Sequence, residues 1–264
     1  ENYITALDYK NITRLMSDGK FKFSGKGVAV FSEATRNTLE ATNSFPKDGI
    51  WITGAPRYDR WREVTIQPAE MRRYVILASY AHPLYLAPQN FVEVAKVFCE
   101  ASLSAPEGFE YIIKVKKPSD GDIVKAAVPD IHKYPVKIVW TEPIYELFPQ
   151  AAAVIGFNSM AVLEAYLGPI PAIVPCWADA VRDSDETLIS HSNPDDAAVT
   201  YFPRSGDELL KLIREAEQGK LPTLGTREQQ LACFRRHIAF SDTDLSSTLV
   251  ERFIDHYVKL SPKA

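Results

Sequence analysis

The feature that most limits the possible folds is a repeated alternation of short apolar runs with amphipathic segments. The apolar runs are rich in Val, Ile and Ala, and they stay apolar at consecutive positions. Such runs are typical of strands buried on both faces of a parallel sheet, with helices as the connections. The sequence therefore predicts an α/β fold, a Rossmann-like parallel sheet flanked by helices. The predicted strands are residues 27–32, 49–54, 73–80, 109–117, 136–140, 152–157 and 170–175.

The segments between these runs have helical periodicity. In residues 88–105, Phe91, Val94 and Phe98 recur at the spacing of one helix face, and Ser32 precedes another helical segment as a candidate N-cap. Right-handed crossovers place all strand-to-helix loops at one edge of a parallel sheet, where ligands bind. The candidate ligand loops are residues 32–35, 54–60, 79–88, 115–122, 141–143, 156–159 and 176–187.

Length and composition are those of a globular protein. The 264 residues carry a net charge of -4, which argues against a nucleic-acid partner. No apolar run approaches the roughly 20 residues that span a bilayer, and the first ten residues lack a signal-peptide pattern. Cys99, Cys176 and Cys233 are widely spaced, so we expect three reduced thiols and a cytoplasmic location. Peripheral contact with the inner face of the membrane, through other regions or proteins, stays open.

One strand-to-helix junction combines several features of a nucleotide site. Gly156 permits a tight turn or close approach of a ligand, and Asn158 or Ser159 can cap the following helix, whose first N–H groups attract anions. On a helical wheel, Glu164 lies about 40° from Met160 and thus borders the apolar face. Such a carboxylate can accept hydrogen bonds from ribose hydroxyls. From the spacing alone, a nucleotide site and an ordinary helix cap followed by a half-exposed Glu are equally good interpretations.

Polar side chains follow three other predicted strands. Arg57 can meet a phosphate or carboxylate, or can simply pair with Asp59 at the surface. His82 can donate to a phosphate or transfer a proton, or can be a solvent-facing loop residue. We take Arg57 and His82 as the candidate catalytic residues. The candidate donor-binding residues are Ser79, Lys114, Lys116, Gly156, Asn158, Ser159, Met160 and Glu164.

Several common motifs are missing from the sequence. The histidines show neither HxxxH nor HExxH spacing, so we predict no metal site, although the acidic segment 177–186 could bind a metal or a hydroxyl-rich ligand if it is not a solvated loop. The sequence contains no GxSxG, no GxxxxGK[ST] and no GxGxxG after a strand. These absences argue against an α/β-hydrolase, a P-loop protein and the usual dinucleotide dehydrogenase.

Three segments in order resemble GT-B glycosyltransferases that build bacterial surface polysaccharides. "VAVFSEATRNTLE" followed by "IWITGAPRYDRW" resembles the end of the N-terminal domain of these enzymes. The turn within the second segment is similar to the "TGNPRYD" turn of capsule-polysaccharide, Kdo-transferase and CDP-glycerol glycerophosphotransferase relatives. "YIIKVKKPSD" stands where that group shows a "KPHP"-like strand end, and Ser119 departs from its His. "VIGFNSMAVLEAYLGPIPAIVP" resembles the "NSTxxxEAxxxGxP" donor-binding corner. The resemblance covers roughly residues 27–260.

The resemblance implies a function and a division into domains. Asn158 and Ser159 would meet the donor phosphate, Glu164 the ribose hydroxyls, and Lys114 or Lys116 the donor phosphates. Residues 1–62 would be the end of a partial, acceptor-side domain, and residues 63–264 the donor-binding domain. The expected function is metal-independent transfer from a nucleotide sugar, which is a substrate and not a cofactor, to a glycan or lipid-linked glycan acceptor. The alternatives are a sugar-nucleotide 2-epimerase and a non-catalytic nucleotide-sugar-binding module.

Overall fold

A computed structural model describes residues 10–11, 13–14, 23–42, 44–78, 88–157, 159–177, 187–241 and 243–259. Its strands are β1 (Val28–Val30), β2 (Ile50–Ile52), β3 (Tyr74–Ala78), β4 (Glu110–Lys114), β5 (Val136–Val139), β6 (Ala151–Ile155), β7 (Ala172–Ile173) and β8 (Thr200–Tyr201). Between them lie α1 (Glu33–Ala41), α2 (Pro88–Ser102), α3 (Pro118–Ala127), α4 (Ile144–Leu147), α5 (Met160–Ala165) and α6 (Pro194–Ala197). After β8 come α7 (Gly206–Glu217), α8 (Arg227–Arg235) and α9 (Ser246–Lys259).

The chain forms two compact units. Unit 1 comprises Glu1–Glu63 and Ala232–Ala264, and unit 2 comprises Val64–Leu231. The predicted division was 1–62 and 63–264, and it stays a prediction. Residues 232–264 differ from it, because their contacts group them with the beginning of the chain. The assignment of acceptor and donor roles to the two parts stays a prediction.

Unit 2 is built on a six-stranded sheet with the order β5-β4-β3-β6-β7-β8. Every neighbouring pair is parallel. The chain proceeds from β3 outward through β4 to β5, and then from β6 outward in the other direction through β7 to β8. The predicted α/β class, with a parallel sheet flanked by helices, is therefore confirmed.

The two faces of this sheet are covered by different helices. Val75, Leu77 and Ile155 belong to a buried cluster that also holds residues of α2, α3 and α7. Ile76 and Val154 alternate with them along the strands and are fully buried, so they face the other side. On that side lies the short helix α5, whose residues Val162 to Ala165 are buried. Apolar side chains on both faces explain why the strands read as continuous apolar runs.

Unit 1 contains β1 and β2, which are parallel, together with α1 and α9. Ser32 caps α1, as predicted, by accepting a hydrogen bond from the Thr35 backbone N–H at 3.3 Å. Gly54 has φ 67°, and a Cβ there would lie 2.3 Å from the Ala239 carbonyl oxygen. Only glycine fits this turn, because both the left-handed backbone and the close approach exclude a side chain.

Two further sequence predictions can be compared with the structure. Cys99, Cys176 and Cys233 are buried and are not part of a disulfide, as expected. None of the helices among the described residues combines the length and the apolarity that a bilayer crossing requires. The strand β8 and the helix α6 were not predicted, because each is very short and neither carries a distinct apolar pattern.

Candidate functional site

The strand order locates the candidate site within unit 2. The direction of winding reverses between β3 and β6, and in open α/β sheets ligands bind outside the carboxyl ends of the strands at such a reversal. Ala78 ends β3 and pairs in register with Lys114, which ends β4. Gly156 follows β6, and its backbone N–H donates to the Ile173 carbonyl of β7 at 3.0 Å. Four parallel strands thus end around this point.

Gly156 brings β3, β6 and α5 unusually close together. A Cβ at this position would lie 2.7 Å from Cγ2 of Val162 and 3.3 Å from Cβ of Ala78. Val162 is fully buried, so it has little room to move aside. The glycine therefore sets the distance between the end of β6 and the beginning of α5.

The helix α5 starts at this corner. Ser159 is its N-cap, and the Ser159 hydroxyl oxygen accepts a hydrogen bond from the Ala161 N–H at 3.2 Å. Of the two predicted caps, the structure assigns this role to Ser159; Asn158 lies outside the described residues. Met160 is half-buried beside the cap. The corner thus combines a tight strand end with a capped helix start.

Glu164 lies on the buried side of α5. Its residue exposure is 3%, so the side chain is buried and not half-exposed at the surface; its role in the site stays a prediction. A buried carboxylate requires hydrogen-bond donors or a positive partner. The burial therefore makes Glu164 the most informative of the predicted site residues.

Lys114 is half-buried at the carboxyl edge of β4. Its Nζ donates to the carbonyl oxygens of Val115 at 2.8 Å and Trp140 at 3.2 Å. Burial lowers the pKa of the Lys114 ammonium, and the nearby Glu142 carboxylate opposes that shift. The side chain thus connects the ends of β4 and β5, whereas Lys116 is exposed. Of the two predicted lysines, only Lys114 has a position fixed by hydrogen bonds among those found in the described residues.

Arg57 and Asp59 belong to unit 1 and take separate roles there. Arg57 is exposed, and its guanidinium lies 4.8 Å from the Tyr58 ring centre. The Asp59 carboxylate accepts the backbone N–H groups of Ser246 and Ser247, both at 2.8 Å, at the start of α9. Burial favours a higher pKa for Asp59, but these hydrogen bonds lower it, and the net pKa lies below the ordinary value. The candidate residues Ser79 and His82 lie outside the described residues.

Sequence reasoning did not find several residues that support this region. The Trp177 indole N–H, just after β7, donates to the Glu93 carboxylate of α2 at 2.8 Å. The Tyr166 hydroxyl, just after α5, lies 2.5 Å from the Thr200 hydroxyl oxygen of β8. These partners are separated by tens of residues, so no local pattern identifies them.

Comparison with known proteins identifies the fold type. No model of a known protein family matches the chain, and a search of curated proteins gave no match. Among solved structures, the wall teichoic acid polymerase TagF, a variant soaked with CDPG, superposes with a TM-score of 0.55 at 11% identity, over 96% of this chain and 62% of that one. S. aureus MnaA with UDP gives a TM-score of 0.51 at 9% identity, over 90% and 61%.

These likenesses show the fold and no more. A UDP-N-acetylglucosamine 2-epimerase-like structure from Listeria monocytogenes is also similar, with a TM-score of 0.47, 13% identity and coverage of 86% and 59%. The chain spans about three fifths of the length of these structures. The Rossmann-like parallel sheet of this chain is of the type found in GT-B proteins.

Proposed function

We propose that this chain is the donor-binding part of a GT-B glycosyltransferase that uses a nucleotide sugar to extend a bacterial surface glycan. The observation that carries the proposal is the buried Glu164 on α5. This helix begins just after Gly156 and Ser159, where the direction of winding through the sheet reverses. The likeness to TagF and MnaA, whose structures contain CDPG and UDP, supports a nucleotide ligand.

In this proposal each residue of the corner has a distinct task. The Glu164 carboxylate accepts hydrogen bonds from the ribose hydroxyls. The donor phosphates lie beside Asn158, Ser159 and Met160, where the capped start of α5 and the glycine allow close approach. Lys114, at the end of β4, contributes positive charge to the same edge of the sheet.

The proposed mechanism is electrostatic. Negative charge develops on the leaving phosphate as the glycosidic bond breaks, and fixed donors at the corner stabilise it without a covalent protein intermediate. The proposed chemistry uses the nucleotide sugar as substrate and involves no further cofactor. CMP-Kdo, UDP-sugars and CDP-glycerol are the candidate donors, and the acceptor is a glycan or a lipid-linked glycan, with the protein in the cytoplasm.

The test is a thermal-shift panel followed by titration calorimetry. UDP, CDP and CMP, with CMP-Kdo, UDP-sugars and CDP-glycerol, are compared with ADP as the control nucleotide. A ligand present at about 100 times its Kd stabilises a protein by about 2.7 kcal/mol, so a genuine donor should raise the melting temperature by several degrees. If none of these compounds stabilises the protein more than ADP does, the proposed function is wrong.

A second measurement separates transfer from the alternatives. The tightest labelled donor is incubated with the protein, and the products are separated by chromatography. Transfer or slow donor hydrolysis supports a glycosyltransferase. Conversion to an epimeric nucleotide sugar identifies an epimerase, and binding without any turnover identifies a nucleotide-sugar-binding module.

A further inference from the structure

The segment that follows α5, residues 166–169, is held by two arginines that come from distant parts of unit 2. The Arg227 guanidinium donates to the carbonyl oxygens of Tyr166 at 2.5 Å and Leu167 at 2.8 Å. The Arg72 guanidinium donates to the carbonyl oxygens of Pro169 at 3.0 Å and Gln67 at 3.0 Å. Arg72 precedes β3, and Arg227 is the first residue of α8. We call these two residues the arginine clamp.

The position of the clamp matches the charge distribution of the helix. The last carbonyl groups of a helix lack internal partners and carry a partial negative charge, which cations stabilise. The last turn of α5 contains no basic residue of its own. Arg227 therefore supplies donors and positive charge just after α5, at the C-cap Tyr166 and at Leu167, and Arg72 holds the chain at Pro169.

A short helix depends on such contacts for its orientation. α5 has six residues, and helices of this length are not stable by themselves in water. Its start is fixed by the Ser159 cap and by the close contact of Gly156 with Val162. Its end is fixed by the clamp and by the hydrogen bond between the hydroxyls of Tyr166 and Thr200.

Glu164 lies between these two fixed ends. The carbonyl groups held by Arg227 belong to the residues two and three positions after Glu164, within one helical turn. Side chains project from a helix in directions fixed by its rotation about its axis, about 100° per residue. If the segment after α5 is released, a small rotation of α5 therefore changes the direction of the Glu164 side chain. Hydrogen bonds to a sugar tolerate only small errors in donor–acceptor geometry.

We propose that Arg72 and Arg227 are positioning residues, which hold Glu164 at the angle required for the ribose hydroxyls. This inference rests on the proposed function, because it assumes that Glu164 contacts ribose. It adds that the specificity for ribose over deoxyribose depends on residues that donate hydrogen bonds to the backbone just after α5.

The test measures how strongly the protein distinguishes ribose from deoxyribose. Titration calorimetry gives the Kd values for UDP and 2′-deoxy-UDP, and for CDP and 2′-deoxy-CDP. In the unaltered protein we expect the ribonucleotide to bind about tenfold more tightly or better, as a hydrogen bond to a charged group provides. In Arg227→Gln this ratio should fall below about threefold, while the Kd of the deoxynucleotide stays unchanged. Arg227→Lys keeps the charge and one donor, and should give an intermediate ratio.

Matched controls separate positioning from stability. Arg214→Gln removes another guanidinium of unit 2, whose Nη1 donates to both Glu217 carboxylate oxygens at 2.8 Å. It should lower the melting temperature and leave the ribose preference unchanged. Arg72→Lys serves as the second clamp variant, because Arg72 is only 9% exposed and a larger change could prevent folding.

The outcomes distinguish the two proposals. If the unaltered protein binds neither ribonucleotide, the proposed function fails and this inference fails with it. If it binds both sugars equally, the ribose contact of Glu164 is wrong. If ribose preference exists and survives in Arg227→Gln and Arg72→Lys, the proposed function stands and the positioning role of the clamp is overturned.

Discussion

At the scale of single residues, Glu164 carries the largest share of the functional hypothesis. It is an acidic residue with 3% exposure, at the edge of the sheet where ligands bind. Removing a charged hydrogen-bond acceptor from a ligand contact costs about 1–3 kcal/mol. We therefore expect Glu164→Ala to weaken nucleotide binding by this amount and Glu164→Gln to weaken it less, both measured by titration calorimetry.

A second buried carboxylate provides the control for this prediction. The Glu217 side chain is also 3% exposed, and it accepts hydrogen bonds from Arg214 and from the Tyr111 hydroxyl, the latter at 2.6 Å. Glu217→Gln should reduce the melting temperature without changing the nucleotide Kd. An unchanged Kd in Glu164→Ala would remove Glu164 from the site.

Asp59 makes the stability of unit 1 depend on pH. Hydrogen bonds from Ser247 and Ser246 hold its folded-state pKa below the ordinary value, despite the opposing effect of burial. A lowered folded-state pKa means that the stabilisation is complete above the unfolded-state pKa of about 3.9 and is lost as the pH falls through the lower folded value. Helix caps of this kind contribute about 1 kcal/mol.

The variant Asp59→Asn tests this dependence. Thermal unfolding is measured for both proteins from neutral pH down to about pH 3. At neutral pH the variant should have the lower melting temperature, and the difference should shrink below about pH 4 as Asp59 becomes protonated. A difference that stays constant over this range would show that the charge of Asp59 does not contribute.

At the scale of secondary-structure elements, the contact between β6 and α5 is the most constrained. A Cβ at Gly156 would lie 2.7 Å from a buried methyl group of Val162, which is closer than such atoms approach. Overpacking of this kind costs about 1–3 kcal/mol. We expect Gly156→Ala to lower the melting temperature by several degrees and to weaken nucleotide binding, because it displaces the start of α5.

Gly121→Ala is the matched control for Gly156→Ala. Gly121 lies within α3, and an added Cβ would be 3.7 Å from Ile138, an ordinary contact. Alanine is favoured over glycine in a helix by about 1 kcal/mol, so this variant should be as stable as the original protein or more stable. Equal effects of the two substitutions would contradict the packing argument.

The sequence predicted the larger elements well because their signals are local. The apolar runs became β3, β4 and β6, and the capping pattern at Ser32 and Ser159 marked two helix starts. The order of the strands could not be predicted, because register depends on packing between distant segments. For the same reason no pattern around Arg72 or Arg227 indicated that they bind the backbone just after α5, and the partner of Asp59 lies nearly two hundred residues away.

The site predictions also differ in whether they depend on neighbouring residues in the sequence or on the order of the strands. The corner Gly156, Ser159, Met160 and Glu164 is contiguous, so its members necessarily share one location. The distance of Lys114 from this corner depends on the order of the strands, which the sequence does not predict. In the structure, β4 lies two strands from β6. Its functional role, like the roles of Arg57 and His82, stays a prediction.

At the scale of the whole molecule, the buried thiols report on the integrity of each unit. Cys99 and Cys176 belong to unit 2, and Cys233 belongs to unit 1. Burial raises the pKa of the Cys99 thiol to about 11, and it also raises the pKa of Cys176, against the effect of Arg204. Because the thiolate is the reactive form, Cys99 and Cys176 should resist alkylation in the native protein at about pH 8. Cys233 should resist it because it is buried.

Alkylation at increasing denaturant concentration, followed by peptide mass spectrometry, gives a midpoint for each thiol. We expect Cys99 and Cys176 to become reactive together, because they lie in the same compact unit. Protein unfolded before labelling provides the control for complete reaction. Rapid alkylation of any of the three without denaturant would contradict their burial.

The division of unit 1 into two chain segments has a consequence for protein synthesis. The segment of unit 1 before residue 64 is synthesised before unit 2, whereas the segment after residue 231 is synthesised only after all of unit 2. Unit 2 is continuous in sequence and can complete its sheet during translation, since domains generally fold as units. The segment of unit 1 before residue 64 therefore gains its contacts with the later segment only after the middle of the chain has been synthesised.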